Sequence, residues 1–121
     1  MQRYLITLCA GLAFLTLGTA QAAGDRKTVE QIHQERAALS GQQVAVHGKV
    51  VKVNNGIMNK NFLHIQDGTG ATDSNDITVT SQDTAEVGEE VTVTGTLVVD
   101  RDFGAGYVYP VIIEQATISK D

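Results

Sequence analysis

The fold is decided by Gln43 to Gly70, QVAVHGKVVKVNNGIMNKNFLHIQDGTG. Val44 and Val46 alternate with Ala45 and His47, the period of a strand with one buried face. Past Gly48 the apolar positions change parity and fall on Val51 and Val53, which predicts one extra residue near Gly48, a bulge kinking a long strand. Asn54-Asn55-Gly56 is read as the start of a loop. A second strand follows from Phe62 to Gln66, with Leu63 and Ile65 on one face and Phe62, His64 and Gln66 on the other. Asp67-Gly68-Thr69-Gly70 is a turn, its glycines suited to positive φ.

Working outward, the pattern stays β. Asp76 to Ser81 is a third strand, with Ile77 and Val79 inward. Gln82 to Glu89 is a polar connection. Glu90 to Asp100 is a fourth strand, with Val91, Val93, Leu97 and Val99 on one parity, and Asp100 to Gly106 is a loop. Tyr107 to Ile118 is a fifth strand in which Pro110, lacking an N–H, belongs on an edge or at a bulge. Ahead of the strands, Thr28 and Gln31 form a capping box for one helix carrying Val29, Ile32, Arg36 and Leu39 at helical spacing and stopped by Gly41. Five strands with a kinked first strand predict an all-β, OB-fold-like barrel preceded by that helix. Leu63, Ile65, Ile77, Val79, Val91, Val93 and Leu97 should fill it. An immunoglobulin-like sandwich would need about seven strands.

The first residues read as a secretory leader: Arg3, an apolar run from Tyr4 to Leu17, and Ala20-Gln21-Ala22 as an A-x-A site, with cleavage expected after Ala22. The apolar run is shorter than the ~20 residues of a membrane span. The expected organisation is therefore a signal peptide at 1–22, a short disordered leader (Ala23 to Lys27) and the helix within 23–42, and the barrel at 43–121, in a periplasmic or secreted monomer. Removing 22 of 121 residues leaves 99, takes away Arg3 and Cys9, and moves the formal charge from −5 to −6. Without cysteine, the mature chain has no disulfide, zinc–thiolate or thiol chemistry. Its acidity disfavours tight binding to a phosphate backbone.

The quoted segments Leu39-Ser40-Gly41, Val44 to Lys52, Gly56-Ile57-Met58, Leu63-His64-Ile65-Gln66-Asp67-Gly68-Thr69-Gly70 and Asp102-Phe103-Gly104-Ala105-Gly106-Tyr107 resemble a family of small exported bacterial OB-fold proteins. The resemblance covers nearly the whole mature chain. It implies a barrel often labelled nucleic-acid-binding by fold alone, and a relation to the accessory proteins of periplasmic multihaem cytochromes such as nitrite reductase. Phe62 stands here where a Trp is expected.

Three groups of residues could carry a function. His47, Met58 and His64 offer imidazole and thioether donors suited to a soft ion such as Cu(I), with Phe62 as a hydrophobic shield. Lys49, Lys52 and Lys60 beside Phe62 and His64 could instead form a single-strand nucleic-acid face, which stacks bases on aromatics and tracks phosphates with cations; an oligosaccharide could use the same face. Arg101, Phe103 and Tyr107 should flank the same barrel mouth as Met58. Asp67, Asp73 and Asp76 do not match an EF-hand loop. No serine, histidine or paired carboxylate stands in a hydrolytic motif. The expectation is a non-enzymatic binding module, an accessory protein in Cu(I) or cytochrome handling, with a periplasmic cytochrome or metal-handling protein as partner. Single-stranded nucleic-acid or oligosaccharide binding is the alternative.

Overall fold

The computed structural model describes residues 25–121, so the leader assigned to 1–22 lies outside them. The elements are β1 (Asp25–Arg26), α1 (Val29–Gln34), α2 (Arg36–Leu39), β2 (Gln43–Ile57), β3 (Lys60–Gln66), β4 (Ile77–Ser81), β5 (Glu90–Asp102) and β6 (Val108–Lys120). The long strands run in the order β2-β3-β4-β6-β5, and β5 pairs back onto β2. The ring is therefore closed, with β4 and β6 parallel and the other long pairs antiparallel. This is the five-stranded OB-type barrel expected, and closure leaves no bare edge around the ring. All seven residues assigned to its interior are fully buried, joined by Val44, Val46, Val50 and Ile113.

The strand that turns the corner is β2. Its first half, Gln43 to Lys49, pairs with β5; from Lys49 onward it pairs with β3. At the crossing, a Cβ on Gly48 would lie 2.6 Å from the Gln66 carbonyl oxygen, so only glycine lets the strands approach this closely. The bulge itself sits at Val51, where the register slips between Val50 and Lys52, not at Gly48. Val50 keeps the inward parity of Val44 and Val46, and the shift begins one residue beyond it.

The amino-terminal segment is better tied down than expected. Asp25 and Arg26 add a short parallel strand beside Val44 and Ala45, and Lys27 N–H donates to the Ala45 carbonyl at 2.8 Å, so these residues are not a disordered leader. The predicted single helix is two pieces, broken at Glu35 (φ −102°, ψ 15°). The break leaves Val29 and Ile32 buried and Arg36 exposed, so Arg36 does not lie along the apolar stripe.

The Asp-Gly-Thr-Gly turn holds this helix. Asp67 Oδ2 accepts from Val29 N–H at 2.9 Å, Thr69 Oγ1 from Glu30 N–H at 3.0 Å, and Thr28 Oγ1 from Gln31 N–H at 3.0 Å. Three N–H groups that a helix start leaves unpaired are thus satisfied, two of them from a turn about forty residues away in sequence. Asp67 Oδ1 also accepts from the Thr69 hydroxyl and N–H. Burial pushes the Asp67 carboxyl up, but these hydrogen bonds outweigh it and hold it below its ordinary 3.8. The same turn packs too tightly for a side chain at Gly70, whose φ is +88° and whose Cβ would meet the Ser74 carbonyl at 2.1 Å.

Candidate functional site: an aromatic groove between two hairpin arms

Two hairpins project past the barrel. The β2–β3 connection is not the open loop expected from Asn54-Asn55-Gly56. β2 continues to Ile57, which pairs with Lys60, leaving Met58 and Asn59 as a two-residue turn. Both have positive φ (52° and 63°), the backbone of a type I′ hairpin, which favours Asn-Gly. Met58 holds the left-handed conformation that costs a branched or long side chain about 1–2 kcal/mol. The other arm is the β5–β6 hairpin, turned by Phe103 to Tyr107 with Gly104 and Gly106 at positive φ. Pro110 stands on this arm before β6 reaches β4 at Ile112, so its missing N–H breaks no β4 ladder.

The β5–β6 arm folds over the outside of β3. Its Phe103 and Tyr109 rings lie 5.5 Å and 6.2 Å from Phe62, and 5.8 Å from each other. Phe62 has outward parity on β3, yet this cover leaves it only 5 % exposed. Arg101 lies 4.6 Å from the Phe103 ring centroid and Lys60 Nζ 5.8 Å from it, both within cation–π reach. Arg101 is anchored from behind by Glu114, its Nε 3.0 Å from Oε2, both atoms buried and off hydrogen-bond angle.

Between the arms runs a groove of about 530 Å³, and every Phe and Tyr of residues 25–121 (Phe62, Phe103, Tyr107 and Tyr109) lines it. The barrel interior contains none of them. Lys52, Asn54, Ile57, Met58, His64, Gly104 and Ala105 complete the lining. Four large apolar residues stay open at the arm tips: Ile57 (45 %), Met58 (49 %), Tyr107 (60 %) and Val108 (55 %).

His64 is the one imidazole in the groove. It stands on β3 between Lys52 of β2 and Thr78 of β4. Its Nδ1 is 2.8 Å from Asp76 Oδ1, and Gln66 Nε2 donates to the other carboxylate oxygen at 3.3 Å. Burial pushes the Asp76 carboxyl up, but the His64 hydrogen bond and charge, then Gln66 and His33, win and hold it below 3.8. A carboxylate can only accept, so Nδ1 carries the proton, and in the neutral ring Nε2 carries the lone pair. Nε2 has no hydrogen-bond partner among the described residues. Asp76 is fixed in turn by α1, where His33 Nε2 donates to its backbone carbonyl at 2.8 Å. An imidazole oriented by a carboxylate on its far nitrogen is the usual support for a metal-binding histidine.

The structure brings His64, Met58, Lys60, Phe62, Arg101, Phe103 and Tyr107 to one place. It does not bring His47 there, so the three-donor set of His47, Met58 and His64 is not assembled. His47 lies on the stretch of β2 that pairs with β5, opposite Thr92, and lines a second groove with Lys49, Asp67 and Glu90. Its Nε2 is taken by Asp121 Oδ2 at 2.6 Å, with Glu90 at 3.9 Å. Lys49 parts from Lys52 and Lys60 in the same way. Asp67 and Asp76 serve the helix cap and His64, and no group of three His, Cys, Asp or Glu able to hold a metal occurs among the described residues. Tyr109 is the residue that sequence reasoning missed. Its place follows from the hairpin register, in which Tyr109 pairs directly with Arg101, two residues before Phe103.

No family model matches the chain, and no curated protein matches it. Solved structures do. A chain from Leishmania major Friedlin assigned as an aspartyl-tRNA synthetase aligns with 89% of this chain at a TM-score of 0.60 and 13% identity; the aligned part is 23% of that chain. A DUF3299 family protein from Pseudomonas aeruginosa PAO1 aligns over 69% of this chain and 64% of its own length, with a TM-score of 0.50 and 16% identity. This chain thus spans under a quarter of the first and just under two thirds of the second. At these identities the likeness is one of fold.

Proposed function

We propose that this chain is a non-enzymatic OB-fold binding module that works outside the cytoplasm, as an accessory protein in metal or cytochrome handling. Its ligand enters the groove between the two arms. His64 Nε2 is the principal donor, Met58 at the tip of the same β2–β3 hairpin is a thioether donor, and Phe62, Phe103 and Tyr109 form the wall. The observation that carries this reading is the His64–Asp76 pair, which occupies Nδ1 and leaves Nε2 of a groove-lining imidazole unpaired among the described residues, in a groove also lined by the only methionine after Met1. Cu(I) suits imidazole and thioether donors. Titration of Cu(I) against a chromophoric chelator tests it. The expected result is competition by the wild-type chain, lost in His64→Ala, weakened in Met58→Ala and kept in His47→Ala. No competition, or an unchanged His64→Ala, contradicts the reading.

The second reading, an OB domain for single-stranded nucleic acid or oligosaccharide, draws on Lys60 and Arg101 over the Phe103 ring. Fluorescence anisotropy with a labelled oligonucleotide separates the two. Binding that falls steeply with salt and with Lys60→Ala favours nucleic acid; salt-insensitive oligosaccharide binding favours the sugar.

A further inference from the structure

We propose that the ligand is a metalloporphyrin of the haem class, with His64 Nε2 as the iron ligand. The inference rests on the preceding reading that His64 presents a metal-facing nitrogen, and it deepens that reading. A bare ion bound by two donors would need no wall. Here all four Phe and Tyr side chains of residues 25–121 are spent on one groove of about 530 Å³ and none on the core. That volume falls within the range of small-molecule and cofactor sites. Ile57, Met58 and Tyr107 add exposed apolar surface at its mouth, where an unliganded protein gains nothing from it.

The charges select among planar ligands. Lys52 lines the groove, Lys60 and Arg101 sit against the Phe103 ring, and no Asp or Glu lines it. With Arg101 already paired with Glu114, Lys52 in the lining and Lys60 at the Phe103 ring are the two cations left to match a flat apolar group carrying two carboxylates. They match an extended polyanion poorly, because a strand running beyond them meets a chain with 14 acidic against 9 basic side chains. An imidazole whose Nδ1 is bound to a carboxylate, leaving Nε2 free, supplies the axial donor that haem iron takes from proteins. Met58, at the tip of the hairpin that carries His64, covers the porphyrin edge by packing.

The test is titration of haemin into the full chain, followed at the Soret band, with the Cu(I) competition run in parallel. The expected result is a saturable, red-shifted band at one haemin per chain. His64→Ala and His64→Gln should lose the shift and weaken binding at least tenfold. Lys60→Ala should weaken it several-fold, and His47→Ala should leave it unchanged. Far-ultraviolet circular dichroism on each variant confirms that the barrel is intact. No red-shifted band, or one that survives in both His64 variants, overturns the proposal. Cu(I) competition without a haemin shift overturns the haem proposal while sparing the metal-binding reading. A haemin shift lost in the His64 variants, with no Cu(I) competition, supports haem and removes the bare-ion reading.

Discussion

Met58 is held in a conformation that its side chain disfavours, at the tip of an exposed arm. A type I′ turn selects Asn or Gly at this position, so Met58→Asn should stabilise the protein by about 1 kcal/mol and raise Tm by a few degrees in a thermal melt, while weakening ligand binding. Equal or lower Tm would show that the thioether is not carried at a conformational cost. At Gly48 the opposite holds. Gly48→Ala drives a Cβ against the Gln66 carbonyl and should cost about 1–3 kcal/mol, read as a shift of the urea midpoint. That His64, Met58, Phe62 and Phe103 share one groove was legible because soft donors and aromatics are scarce here and fall on neighbouring strands and loops. Tyr109 was not singled out, because its place depends on how an arm folds over β3, which strand parity alone does not report. His47 shares outward parity with His64, but they stand on parts of β2 and β3 that serve different grooves.

Among the elements, the turn after β3 links helix to site. Asp67 and Thr69 hold the start of α1, and α1 holds Asp76 through His33. Removing the Asp67 carboxylate in Asp67→Ala should cost about 1–3 kcal/mol and, by loosening α1, reduce the order of His64. Slower or unchanged exchange of the α1 amides would contradict this. The pH dependence follows from the same contacts. Asp67 and Asp76 are both held below their ordinary 3.8 in the folded chain. Their contribution is therefore complete above that value and is lost as pH falls through the lower, folded values. Tm should stay flat down to about pH 4 and fall below it, with a shallower fall in Asp67→Asn; a drop beginning near pH 6 would point to histidine instead. The strands themselves were readable from alternation. The change of parity announced a bulge in β2 but put it near Gly48 rather than at Val51, and the type I′ turn was not readable, since register is set by pairing across strands and Asn54-Asn55-Gly56 looks locally like a loop.

For the whole molecule, closure of β5 onto β2 makes a barrel with an aliphatic core, and this frees every Phe and Tyr ring among the described residues for one external groove. The barrel was legible because buried β faces leave a period of two in the sequence. The groove was only half legible, because its two walls come from hairpins some forty residues apart. The central claim is that this groove, through His64 Nε2, receives a metal or a metal-bearing ligand. Side-chain ¹H–¹⁵N NMR of the three imidazoles during Cu(I) addition tests it most directly. The account predicts a large shift of the His64 Nε2 resonance, with His33 and His47 unmoved. A shift at His47, or no shift at any histidine when Cu(I) and then haemin are added, would contradict it.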